Sequence, residues 1–224
     1  MMQEMAINEE NNGAAYKSSH PLLKLPAQFF SYIFHPVFIP VYVALFLMYW
    51  HPLVFAGVSD NRKALLLATI AVNCTLFPLF TVFLAWKLKF VNTFMLQTRK
   101  DRIIPYALAM IFYFWCWYVL KNQQGIPDLL IRFLLGSFIT VIIAWIANIY
   151  FRISMHGLAV GGMAFFVSAV ALLGDGNPGW YLASAWMVMG LVGTSRLILG
   201  AHHPFDVYAG IFLGMLAQLI AMYY

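Results

Sequence analysis

Apolar residues run along this chain in blocks of about twenty, the length a helix needs to cross a bilayer. Polar punctuation divides them into spans at about 29–50, 64–86, 103–120, 129–150, 157–173, 180–200 and 205–223. Asp60-Asn61-Arg62-Lys63 is a polar turn, 87–102 is the most basic loop, and Gly174 to Gly179 is a turn by composition. The pattern predicts an all-α fold, a polytopic transmembrane helix bundle of six or seven spans. Residues 1–26 read as a polar N-terminal tail ending in an interfacial segment, Pro21 to Pro26, and 27–224 as one transmembrane domain. Pro36 and Pro40 should kink the first turns of the first span, because proline has no N–H to give. Pro78 lies inside the second span, as does Asn73, which is expected to bond a neighbouring helix. Gly157 with Gly161, and Gly210 with Gly214, have the four-residue spacing that lets membrane helices approach closely.

Composition agrees with this pattern. The chain has 224 residues, 63% hydrophobic and only 9% charged, against about a quarter charged in a soluble domain. Residues 1–20 lack the apolar stretch of a signal peptide. The net charge of +5 is concentrated in Arg99, Lys100, Arg102 and Arg196, which points to a local anion site plus membrane flanks. Nucleic acid is not an expected partner, because no soluble basic face exists to receive it. Cys74 and Cys116 both fall in apolar runs and do not make a metal framework. The aromatic residues of the third span fit an interface belt, and His35 and His51, at the edges of the first span, fit interfacial anchors.

Three polar clusters interrupt the spans: Arg99-Lys100-Asp101-Arg102, Ser154-Met155-His156, and Ser195 to Asp206. Two spans separate the first from the second, and two more separate the second from the third. An even number of crossings returns a chain to the same side, so all three should share one face. Together they hold up to four cationic side chains, two hydroxyls and two histidines, and the first amides of the fifth span add donors. A phosphate monoester needs several charge-assisted donors at once. One histidine can attack phosphorus while a second protonates the leaving oxygen. Asp206 stands four residues beyond His202 and can orient that ring, as the third member of a triad does. Besides Asp206 only Asp101 lies on this face within the clusters, too few carboxylates to hold magnesium, so the chemistry is expected to run without a metal or cofactor.

Ser195-Arg196, five residues, His202, three residues, Asp206, followed by Val207 and Ala209-Gly210, resembles the third signature of the type-2 phosphatidic acid phosphatase family. That family shares its site with the vanadium haloperoxidases. The resemblance implies that His202 is the nucleophile that becomes a phosphohistidine, oriented by Asp206, and that Arg196, with Ser195 beside it, binds phosphate. The family's second signature is proline-serine-glycine-histidine. Here Ile153-Ser154-Met155-His156 keeps the serine and histidine, which implies phosphate binding for Ser154 and general acid catalysis for His156. The first signature is a lysine, six residues, then arginine-proline. The nearest stretch is a compressed one, Arg99 to Pro105, in which Lys100 and Arg102 are the first phosphate-binding candidates and Arg99 is in reserve. His203 fails the motif spacing and reads as a neighbour of the site, and Arg152 as an interface anchor.

The implied activity is a metal-independent membrane phosphatase acting on a lipid-linked phosphate or diphosphate. Phosphatidic acid, phosphatidylglycerol phosphate, a polyprenyl diphosphate and a lipid A phosphate are all candidate substrates. A lipid phosphotransferase using the same intermediate is an alternative, and so is a lipid-phosphate binding or flipping protein without turnover. The resemblance also implies a multi-pass protein of a bacterial inner membrane. The positive charges do not choose a face. With the tail included, the site side holds nine of the thirteen Lys and Arg, but five against four once residues 99, 100, 102 and 196 are set aside.

Overall fold

The computed structural model describes residues 21–51, 53–91, 98–173 and 179–224. Residues 1–20 of the tail, most of the loop before Thr98 and most of the Gly174–Gly179 turn lie outside these. Among the described residues there is no strand. Seven helical segments there are long and apolar enough to cross a membrane: Leu22–Trp50, Asp60–Lys87, Arg99–Lys121, Asp128–Tyr150, Met155–Leu172, Gly179–Ile198 and Pro204–Met222. The chain is therefore an all-α polytopic bundle. Large apolar side chains such as Leu65, Phe80, Ile111, Ile146 and Phe212 face outward, where lipid would cover them.

The first span is built in pieces. Helix α1 (Pro21–Ile33) takes in the segment read as interfacial and ends ahead of Pro36. His35 is extended there, φ −63° and ψ 139°, as the residue before a proline prefers. The break frees the Ile33 carbonyl, which accepts a hydrogen bond from the Tyr42 hydroxyl at 2.8 Å. A 3₁₀ turn (Pro36–Phe38), helix α2 (Ile39–Leu45) and a π turn (Phe46–Trp50) complete the crossing. The kink expected from the prolines is thus a full interruption at 34–35, and it turns His35 inward.

The second span shows the same physics at Pro78. Helix α3 (Asp60–Ala71) passes through a π turn (Val72–Leu76) into α4 (Phe77–Lys87). Pro78 has no N–H for the Cys74 carbonyl four residues back, and the Tyr113 hydroxyl bonds that carbonyl instead, at 3.2 Å. Tyr113 is therefore a core residue rather than a belt residue. Among the described residues Asn73 bonds its own helix and not a neighbouring one. Its amide donates to the Thr69 carbonyl one turn back, at 2.9 Å. The interhelical tie in this region comes from Thr75, whose hydroxyl donates to the Val37 carbonyl at 2.6 Å.

Helices α5 (Arg99–Lys121), α6 (Asp128–Tyr150), α7 (Met155–Leu173), α8 (Gly179–Ile198) and α9 (Pro204–Met222) follow. Phe133 of α6 and Phe166 of α7 meet in the core with ring centroids 4.9 Å apart. The closest helix pair is α7 with α9, and its four glycines are the reason. A Cβ on Gly157 would stand 2.7 Å from the Val207 carbonyl oxygen, and one on Gly210 2.7 Å from that of Ser154. One on Gly161 would collide with the Ile211 carbonyl, and one on Gly214 with that of Leu158. Backbone thus packs on backbone, as the spacing predicts. The same contact aligns the first turns of the two helices, where the Ser154 N–H donates to the Asp206 carbonyl at 3.2 Å. Arg62 to Gln124, Arg132 to Met222 and Lys121 over Tyr224 tie together the other end of the bundle.

Candidate functional site

The three polar clusters meet at one end of the bundle. Thr98 starts α5: its Oγ1 accepts from the Asp101 N–H at 3.2 Å and donates to the Asp101 carboxylate at 2.7 Å. From this first turn Arg102 donates to the Ile153 carbonyl at 3.1 Å, and Arg99 to that of Tyr150 at 3.0 Å. Asn148 returns a bond to the Arg99 carbonyl at 2.9 Å. Arg152 then donates to the Ala201 carbonyl at 3.2 Å, and His202 Nδ1 lies 3.1 Å from the Arg152 carbonyl. Each cluster is tied to the next through main-chain carbonyls, so the parity argument holds in the geometry.

These ties surround a cavity of about 380 Å³. Its wall includes Arg102 and Tyr106 of α5, His156 of α7, Arg196 of α8, His202, and Tyr32 and His35 from the first span. Apolar residues line it as well, among them Val37, Phe38, Leu79, Val82 and Ala109. Among the described residues no aspartate or glutamate lines it. Within this wall Arg196 Nε and His35 Nδ1 are buried without a hydrogen-bond partner among the described residues. Two guanidiniums and several neutral donors with no facing carboxylate suit an anion.

Both site histidines of the motif clusters are buried, His156 at 9% exposed and His202 at 8%. A carbonyl can only accept a hydrogen bond, so the Arg152 carbonyl places the His202 proton on Nδ1. The Nε2 lone pair is then free. Burial pushes the His202 imidazole below its ordinary pKa, Asp206 pulls it back up, and Arg196, Arg102 and Arg152 add to the lowering. The ring is neutral at pH 7 and available as a nucleophile. Asp206 Oδ2 stands 3.8 Å from His202 Nδ1, the reach of an ion pair rather than a hydrogen bond. That oxygen accepts from the His203 N–H at 3.2 Å, closing the start of α9. Asp206 therefore supports a charged imidazole electrostatically, while the tautomer is fixed by the Arg152 carbonyl. The same logic puts a proton on His156 Nε2, 3.0 Å from the Ser31 carbonyl. The Ser31 hydroxyl also receives Arg196 Nη1 at 3.5 Å.

Of the residues singled out in the sequence, Arg102, Arg196, His156 and His202 line the cavity, with Asp206 behind His202. Lys100 is exposed and Arg99 is bound to main-chain carbonyls; neither lines it. The Ser154 hydroxyl accepts from the Gly157 N–H at 3.2 Å, which makes it the cap of α7. The Ser195 hydroxyl donates to the Leu191 carbonyl one turn back, at 2.7 Å. Neither hydroxyl reaches the cavity. Arg152 is a tie to the His202 loop rather than an interface anchor, and His203 is exposed at the start of α9. Sequence reasoning passed over Ser31, Tyr32 and Tyr106, and it read as an interfacial anchor His35, which the break before Pro36 instead turns into the cavity wall. The one signal for them was a histidine joined to a proline in an apolar block, a place where a helix must open and turn a side chain inward. Compared with known proteins, the chain matches no family model, no curated protein and no solved structure.

Proposed function

We propose that this protein is a membrane phosphatase that hydrolyses a lipid-linked phosphate or diphosphate through a phosphohistidine on His202. The observation that carries the reading is the single cavity shared by Arg102, Arg196, His156 and a His202 whose free nitrogen is Nε2. In the first step the Nε2 lone pair forms a bond to phosphorus and the bond from phosphorus to the lipid oxygen breaks. That oxygen takes a proton from an imidazole of the wall, the role the family resemblance gives to His156. In the second step water attacks phosphorus and gives a proton back to the wall imidazole that donated one, the bond from phosphorus to Nε2 breaks with its electron pair returning to Nε2, and phosphate is released. Phosphoryl transfer asks mainly for positioning and neutralised oxygens, which Arg102 and Arg196 supply. Neither step calls on a metal. A lining that holds apolar side chains as well as guanidiniums favours a lipid over a sugar phosphate. The resemblance to the type-2 phosphatidic acid phosphatases adds a bacterial inner membrane as the setting.

The test is phosphate release in detergent from a panel of phosphatidic acid, phosphatidylglycerol phosphate and a polyprenyl diphosphate, with and without a chelator. Turnover indifferent to the chelator and absent in His202→Ala is the expected result. Release by His202→Ala equal to the parent protein, or none from any lipid, would overturn the reading.

A further inference from the structure

A second, smaller cavity lies within the bundle beside the cationic one. Its volume is about 50 Å³, several times the roughly 10–15 Å³ that one water needs. Its polar lining is Ser137 and Thr140 of α6, Gln218 of α9 and Tyr113 of α5. Ser137 and Thr140 stand on either side of the middle of α6, at the depth of the hydrocarbon core. Polar side chains at that depth are costly and need partners.

Gln218 is held in one orientation. It is 1% exposed, and a Cβ on Gly136 would collide with its amide, so the glycine makes its place. Its Nε2 donates to the Phe133 carbonyl at 3.3 Å. A carbonyl can only accept, so the nitrogen is the atom that faces Phe133 and Oε1 is turned away from it. No donor among the described residues meets that buried oxygen. The hydroxyl hydrogens are already committed. Ser137 donates to the Phe133 carbonyl at 2.9 Å, Thr140 to that of Gly136 at 2.8 Å and Tyr113 to that of Cys74 at 3.2 Å. Apart from the second Gln218 N–H, what this lining has left is oxygen lone pairs.

Lone pairs are met either by a cation or by the hydrogens of water, and charge decides between them. Among the described residues no Asp, Glu, Lys, Arg or His lines the cavity. A cation there would sit within the bilayer without a counter-charge, and neutral oxygens do not offset its desolvation. Water is neutral, gives two hydrogens and accepts the remaining N–H.

We propose that this cavity is a hydration site, in which water donates to Gln218 Oε1 and to the hydroxyl oxygens of Ser137 and Thr140. Water thereby joins α9 to α6 in the middle of the bundle. Pro36 and Met155 line both this cavity and the cationic one, and water enters and leaves past them. The assignment rests on this cavity alone and is independent of the phosphatase reading.

Crystals of the parent protein and of a Ser137→Ala/Thr140→Val/Gln218→Leu variant, each with and without xenon under pressure, test it. The variant keeps the side-chain volumes and removes the polar atoms. A dry apolar cavity takes up xenon and a wet one does not. The parent map should show ordered water within hydrogen-bond distance of Gln218 Oε1 and no xenon, and the variant should lose the water and bind xenon there. Xenon in the parent cavity, or no water in a map that resolves other buried waters, would overturn the proposal. A rubidium soak should leave no anomalous peak in the cavity, and a peak would make it a cation site and overturn the proposal as well. Should the variant fail to fold, the parent protein decides the matter in detergent solution. Magnetisation transferred from water should reach the methyl group of Met163, which lines this cavity and is 8% exposed, several times more strongly than that of Met187, exposed along α8. Equal transfer to the two would refute the site.

Discussion

A main-chain carbonyl holds His202 in the tautomer that a carboxylate holds in many triads, and this separates two jobs that usually fall to one residue. The Arg152 carbonyl sets which nitrogen is free, and Asp206, at 3.8 Å, sets how well a positive ring is tolerated. The pH dependence follows with a definite sign. Because the folded-state pKa of His202 lies below the ordinary value, the proposed nucleophile stays neutral through pH 7. Hydrolysis should therefore persist below the usual imidazole range and fall only as pH drops through the lowered value. Asp206→Asn removes the influence that raises this pKa, so its acid limb should move to still lower pH while the plateau rate falls about 10²-fold or more. A pH–rate profile of the two proteins decides this, and a limb displaced toward neutrality in Asp206→Asn would refute it. Hydroxyls make the second residue-scale case. Ser154 caps α7, so Ser154→Ala should cost about 1 kcal/mol of stability and leave inhibition by inorganic phosphate unchanged. Lys100→Ala should also be silent in phosphate inhibition, whereas Arg102→Ala should weaken it tenfold or more, a charge-assisted bond being worth about 1.5–3 kcal/mol. Inhibition constants and melting temperatures measured side by side check all three. The sequence shows which residue types lie near the site, but a serine at a helix start or inside a turn can face a ligand or its own backbone. Only the packed helix decides between them.

At the scale of the element, the α7–α9 pair carries the most weight. It sets His156 and Asp206 at one level, because glycine lets two backbones touch along the whole contact. Gly214→Ala puts a methyl group onto the Leu158 carbonyl, and Gly161→Ala puts one onto that of Ile211. Each should destabilise the protein by about 1–3 kcal/mol, the range for overpacked cores. Gly190, with open space around it, should accept the same change with little effect beyond its helix preference. Thermal unfolding in detergent gives the comparison, and equal melting temperatures for Gly214→Ala and Gly190→Ala would refute it. These glycine pairs were readable in the sequence because a four-residue spacing of small residues has one geometric meaning on a helix. The first span was less readable. Its two prolines announce a kink, but not that the chain opens fully at 34–35 or that the end of α1 swings Ser31, Tyr32 and His35 against α7 and α8. That outcome depends on what α1 packs against, which no local pattern contains.

At the scale of the whole molecule, the governing fact is which loops share an end. The even count of crossings put all three polar clusters on one side, and the bonds from Arg102 to Ile153 and from Arg152 to Ala201 close that arrangement. The count was reliable because apolar blocks of spanning length leave few other threadings. It could not say which groups finally face the cavity, since side-chain direction is settled by packing within each helix end. The arrangement has a direct consequence in a bilayer. Lys100 and His203 are exposed at the site end, and Asp60 and Asn122 are exposed at the other, where Arg62 meets the Gln124 carbonyl. The native cysteines, Cys74 and Cys116, are buried and should not react with a reagent confined to water. Single Lys100→Cys, His203→Cys, Asp60→Cys and Asn122→Cys proteins in sealed, uniformly oriented vesicles therefore report sidedness cleanly. An impermeant thiol reagent should label the first two together and spare the last two, or the reverse, according to which face the vesicle presents. Labelling of Lys100→Cys and His203→Cys from opposite sides would separate the arginine of α5 from the histidine that precedes α9. No single cavity could then hold one phosphate between them.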